Sequence, residues 1–418
     1  MADPFARMRH LLKPKHRWAQ FSLGTMLVLV TVLCAVLAMV VVPAEQQRRA
    51  VAAIEGVDGV VVYRDYAESF PTAALRRWLP PDCLKAVQHV DLGSSRMSDS
   101  ALEQPLWWIR LDLISLHSPR VTASWFNPQG RPRRTRAAGA ALAHLDALTG
   151  LESLRLDDAD VTDAEMAHLE ALTGLRVLGL NSTRVTDVGL AHLEALKSLK
   201  MLGLQSTQIT DAGLAHLAAL RDLEWLYVDF TQTTGAGLVY LQGLPCLRSL
   251  GLVGTQVTDD ALVHLEGLTE LRELDLSWTK ITDAGLTHLS GQRRLETLRI
   301  VGLEGLPARV QREYRQKGFL LHAPQITDAG LVHLKELPRL KALDLSGNRI
   351  TGAELAHLQT LPQLESLYLY DTQLSDDSVA HLCELKRLKK LNLRGTRLTN
   401  DGVDQLRQAL PQCEIEGP

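Results

Sequence analysis

Residues 185–217 read VTDVGLAHLEALKSLKMLGLQSTQITDAGLAHL, and the phrase that opens the stretch opens again 24 residues later. Aligned on its threonine, the phrase places Thr162, Thr186, Thr210, Thr234, Thr258 and Thr282 at that constant spacing. Thr327, Thr351, Ser375 and Thr399 resume it after an interruption, and Ser98 and Thr122 extend it upstream to twelve expected units. A fixed period of this length is the signature of a solenoid, in which each unit is too small to bury its own apolar face and must stack on its neighbours.

Each unit has two halves. The first, L-x-x-L-x-L, as in Leu199, Leu202 and Leu204 or Leu271, Leu274 and Leu276, ends in the period-2 alternation of a short strand with one buried face. The second opens with Thr and Asp, residue types that suit a helix start by accepting free backbone N–H groups and favouring the positive end of the dipole. Leu190, Leu193 and Leu196 then recur along one helical face. The expected class is α/β.

These motifs resemble the leucine-rich repeat, over about Val87 to the C-terminus. The TDxGL phrase is similar to the cysteine-containing subclass, with Thr183, Thr207, Thr255, Thr279 and Thr396 where many such repeats carry Asn or Cys, and Asn348 keeping the commoner residue. The resemblance implies a right-handed horseshoe or arc, with parallel strands on the concave side and helices on the convex back. A basic N-terminus, one apolar segment, a short linker and TDxGL repeats together resemble membrane-anchored bacterial leucine-rich repeat proteins. F-box substrate adaptors share the subclass, but here an apolar segment stands where an F-box would be.

That segment, Phe21 to Val42, runs 22 residues without a charge. As a helix it would be about 33 Å long, enough for a hydrocarbon core of about 30 Å. Arg7, Arg9, Lys13, Lys15 and Arg17 precede it, and Arg48 and Arg49 are the basic residues that follow closely. The excess predicts a cytoplasmic N-terminus and repeats outside the cytoplasm. Cleavage after Ala44 is the rival reading, although the run is long for a signal peptide. The expected division is a basic stretch 1–20, a membrane span 21–42, a linker and cap 43–84, and the solenoid 85–418 with insertions near 123–138 and 304–324. Within the linker, Glu45 to Glu55 reads as helix and Gly59 to Tyr63 as strand.

A net charge of −3 gives no reason to expect nucleic acid as a partner. The five cysteines form no CxxC pair, and no nucleophile motif, phosphate loop or HExxH appears. The sequence therefore predicts no enzyme, cofactor or metal. His168, His192, His216, His264, His288, His333, His357 and His381 fall six residues after the phasing Thr or Ser, and His144 shares their context. A ladder with one member per unit points its members in parallel, whereas a metal needs convergent ligands. The histidines read as part of the wall.

Binding is the expected activity, because the strand residues that alternate with the leucines line an extended surface. Trp225, Tyr227, Asp229, Glu273, Asp275, Tyr368 and Tyr370 are the candidate concave face, with glycines beside Trp225 and Tyr227 suggesting a shallow depression. Arg131, Arg133, Arg134 and Arg136 in the first insertion, and Arg309, Arg312 and Arg315 in the second, form a candidate basic rim. The expected partner is a protein or, through that rim, an anionic glycan. A cell-envelope spacer without a ligand and a cytoplasmic adaptor with F-box-like repeats are the alternatives.

Overall fold

A computed structural model of the chain describes residues 42–55, 60–65, 85–91, 142–143, 145, 148, 150–303, 311–312 and 322–417. They form one open sheet of 13 strands whose spatial order is the order of the chain. Helix α1 (Val42–Glu55) and strand β1 (Val60–Asp65) stand at its start, and β1 pairs antiparallel with β2 (Lys85–Asp91). Every later pairing is parallel. The repeating strands are three residues each: β3 (Ser153–Arg155), β4 (Val177–Gly179), β5 (Met201–Gly203), β6 (Trp225–Tyr227), β7 (Ser249–Gly251) and β8 (Glu273–Asp275). They continue as β9 (Thr297–Arg299), β10 (Ala342–Asp344), β11 (Ser366–Tyr368), β12 (Lys390–Asn392) and β13 (Glu414–Glu416).

The register follows the sequence period, with Leu154, Leu178, Leu202, Leu226, Leu250, Leu274 and Leu298 paired in turn. Leu298 then pairs with Leu343, so the sheet is continuous across the second insertion. At the N-terminal end Val90 pairs directly with Leu154, and the stretch from Ser98 to Thr122, where further units are expected, lies outside the described residues.

The leucines of both halves are fully buried in a single cluster that runs the length of the stack, and Ala50 and Val51 of α1 join it. Burying one such side chain contributes about 1.5–3 kcal/mol, which no isolated unit could accumulate to the extent the stack does. The threonines in the Asn/Cys slot turn inward and donate to the carbonyl three residues back, as Thr207 Oγ1 does to Leu204 at 2.6 Å and Thr279 Oγ1 to Leu276 at 2.6 Å. Asn348 reaches further, to Leu345 at 3.0 Å and across to Ile300 at 2.5 Å.

On the back, the room left by strand and turns is filled by short α-helical and 3₁₀ turns, such as Asp187–Leu190 followed by Ala191–Ala195, or 3₁₀ alone in Gly235–Gly243. The Asp of TDxGL serves mainly the next unit. Asp163 accepts the Thr186 N–H at 2.8 Å, the Thr186 hydroxyl at 2.6 Å and the Gly189 N–H at 3.1 Å. The same threonine caps its own helix at a longer 3.4 Å. Corresponding Thr-to-Asp pairs recur at Thr210–Asp187, Thr234–Asp211, Thr282–Asp259, Thr327–Asp283 and Thr399–Asp376.

Among the described residues no helix is long and apolar enough to cross a membrane, and the apolar segment lies outside them except for Val42.

Candidate binding face

Six strands bring one row of face residues into register: Tyr227, Gly251, Asp275, Arg299, Asp344 and Tyr368. At the usual interstrand spacing of about 4.8 Å the row is roughly 24 Å long. Two residues further along the same strands come Asp229, Ser277, Ser346 and Tyr370.

Tyr227 leans along the sheet. A β-carbon on Gly251 would fall 2.9 Å from its ring and 2.7 Å from Oδ1 of Asp229, so the glycine makes the space the tyrosine fills. Its hydroxyl lies 3.4 Å from Ser249 Oγ, which in turn donates to Glu273 at 3.1 Å. Burial pushes the Tyr227, Tyr368 and Tyr370 hydroxyls above their ordinary pKa. Trp225, Glu273 and Tyr370 are half-buried, while Tyr227 and Tyr368 sit deeper.

Asp229 accepts from the Val253 N–H at 2.8 Å and from Gln205 Nε2 at 2.5 Å. Burial, reinforced by the charge of Asp275, nevertheless pushes its pKa up to about 7. Asp275 is raised too, by burial, against the opposing pull of Arg299. The Arg299 guanidinium lies 3.8 Å from the Asp275 carboxylate. Asp344 is 3% exposed and accepts the Ser346 N–H at 3.1 Å.

One residue outside the strands runs a ladder of opposite charges. Lys200 and Arg248 both pair with Glu224, Arg272 and Lys341 with Glu296, and Lys389 with Glu365. Lys386 and Arg387 widen its end into a basic groove of about 810 Å³ with Lys341, Glu365 and Lys389.

The strand alternation thus placed the candidate tyrosines and acids on one face. It missed Arg299, whose unit runs into the second insertion, although Leu298 and Ile300 on either side mark it as a face residue. It also missed Phe230 and Trp278 at the adjacent turn, whose rings lie 5.8 Å apart across Gly254. Of the basic rim, Arg312 is described and exposed, while Arg131, Arg133, Arg134, Arg136, Arg309 and Arg315 lie outside the described residues. On the back, His192 and His216 meet Glu170 and Glu194 of the preceding unit at 2.6 and 2.7 Å.

The family model for a leucine-rich repeat region matches residues 135–394. The chain belongs to the leucine-rich repeat family. No curated protein matches it. Among solved structures it is similar to an internalin of Listeria monocytogenes, 24% identical over 65% of this chain and 82% of that one, with a TM-score of 0.44. Internalin C2 of the same organism is 25% identical over 62% and 92%, with a TM-score of 0.41. The mouse RP105/MD-1 complex is 18% identical over 64% and 44%, also at 0.44. Likenesses this distant say nothing about what the present leucine-rich repeat chain binds.

Proposed function

We infer that this chain is a non-enzymatic recognition module that binds a polypeptide across β6–β11. Leucine-rich repeat proteins commonly mediate protein–protein interaction, and the observation that carries the reading here is the registered row from Tyr227 to Tyr368. Elsewhere the same positions hold Gly179, Gly203 and other residues of the ordinary repeat, whereas here aromatic, acidic and basic groups are concentrated on one extended surface. Aromatic side chains at a surface are favoured binding anchors. Replacing Trp225 and Tyr370 by Ala is expected to weaken partner binding at least tenfold, while Val239→Ala on the back leaves it unchanged. Equal effects from both faces would refute the reading.

We further infer that residues 21–42 hold the module at a membrane with the repeats on the extracytoplasmic side, supported by the uncharged run and the basic residues before it. Protease added to intact cells should then remove the repeats. Full protection would argue for the cytoplasmic alternative.

A further inference from the structure

We propose that the groove at the N-terminal ends of β10–β13 takes an acidic segment of a polypeptide, laid in extended form across the strands. The site lies outside the row from Tyr227 to Tyr368, and it rests on the recognition reading above only for the class of partner.

The first observation is where the cations gather. Along most of the outer ladder each carboxylate serves two of them, Glu224 holding Lys200 and Arg248, and Glu296 holding Arg272 and Lys341. The turn before β12 breaks that balance. It carries Lys386, Arg387 and Lys389, with Lys390 opening the strand, and all four are exposed. Glu365, the one acid among the described lining residues, pairs with Lys389. Arg387 donates to the Pro362 carbonyl, a neutral partner. Among the described residues, Lys386 and Lys390 have no ion-pair partner. Three cationic heads thus lack a carboxylate in or beside a concave space of about 810 Å³, and a cleft lined by one sign of charge concentrates ions of the other.

The second observation is the neutral part of the lining. Gln363 and Gln412 present exposed side-chain amides there, and Glu365 adds an acceptor. Amides and a carboxylate between cations match a peptide, whose backbone offers both N–H and C=O groups beside its acidic side chains. A phosphate polymer carries charge at every unit and would be repelled by Glu365.

The dimensions suit a short linear segment. Three interstrand steps from β10 to β13 cover roughly 14 Å at about 4.8 Å each, the length of about four extended residues. The second insertion leaves the chain after the C-terminal end of β9 and returns at His322, whose N–H meets the Trp278 carbonyl. The groove borders the opposite, N-terminal ends of the strands.

The test is fluorescence anisotropy of labelled hexa-glutamate and hexa-lysine peptides with the full chain at near-physiological salt, with a hexaphosphate chain as competitor. Hexa-glutamate alone is expected to bind. Lys386→Gln with Lys390→Gln, both at exposed positions, should weaken it at least about fivefold, while Arg221→Gln on the same edge near β6 leaves it unchanged. An equal loss from Arg221→Gln, or no loss from the double variant, would overturn the proposal. A hexaphosphate that displaces the peptide at equal concentration would assign the groove to phosphate polymers instead. Trp225→Ala should leave hexa-glutamate binding intact. If a natural partner depends on Trp225 and Tyr370 but ignores Lys386 and Lys390, the recognition reading stands and the acidic-segment site falls.

Discussion

A β-carbon on Gly285 would fall 2.4 Å from Oδ1 of Asp259, the residue that clamps the unit containing Gly285 to the one before it. The same opposition holds between Gly189 and Asp163, Gly213 and Asp187, Gly237 and Asp211, Gly330 and Asp283, and Gly402 and Asp376. Where the Asp is replaced by Gly235 or Gly352, the next unit carries Ala261 or Ser378, and a β-carbon on the glycine would meet theirs at 2.4 Å. At these junctions either a carboxylate or a β-carbon fills the space between units; where Asp328 meets Glu354 both slots carry a side chain, and Asp328 accepts the Gly352 N–H at 2.8 Å instead.

The pairing sets the outcome of a double-mutant cycle. Gly285→Ala is expected to destabilise by about 1–3 kcal/mol, through crowding and displacement of the clamp. In an Asp259→Gly background its further cost should shrink by at least about 1 kcal/mol. Additive effects in chemical denaturation would refute the coupling.

The reverse exchange should stabilise. Gly235→Asp alone is expected to destabilise because Ala261 occupies the space, whereas Gly235→Asp with Ala261→Gly restores the ordinary junction to Thr258. A gain of about 1 kcal/mol over the wild type, the scale of a net hydrogen bond, is expected from thermal or urea denaturation. A double variant less stable than the single would count against this.

Asp229 makes stability depend on pH. Its pKa is about 7 in the folded chain, against an ordinary 3.8, so between those values the folded state holds more protons than the unfolded state. Its contribution is therefore largest below about pH 4 and falls as pH rises through about 7. Asp229→Asn, which places here the residue found at Asn181, should flatten that slope and stabilise the chain near pH 8 by up to a few kcal/mol. A slope unchanged in the variant would show that another group causes it.

The histidine ladder is expected to be replaceable. His192 and His216 meet their glutamates at the surface of the back, where such pairs contribute about 0–1 kcal/mol. His216→Gln should shift the denaturation free energy by less than about 1 kcal/mol, and a chelator should not change the melting temperature. A large chelator effect would restore a metal role.

Much of this was legible in the sequence because a repeat states its rule many times. The Thr spacing gave the period, the Leu alternation gave the buried face, and the same alternation put Tyr227, Asp275 and Tyr368 on the open one. The role of Asp259 was read as a helix start, since a single unit shows only its own helix and the partner threonine lies 23 residues on. The neighbourhood of Arg299 was hidden for a related reason. Asp344 is its neighbour in register, yet the insertion sets the two 45 positions apart instead of 24 and breaks the count.

A photo-reactive phenylalanine placed at Trp225 and, separately, at Val239 tests the central claim most directly, because the two positions sit on opposite faces of the same units. Val239 is exposed on the back and Trp225 lies in β6. Irradiation of cells carrying each form should give a discrete crosslinked partner from position 225 and none from 239. A partner captured from 239 and not from 225 would contradict a recognition surface on the sheet.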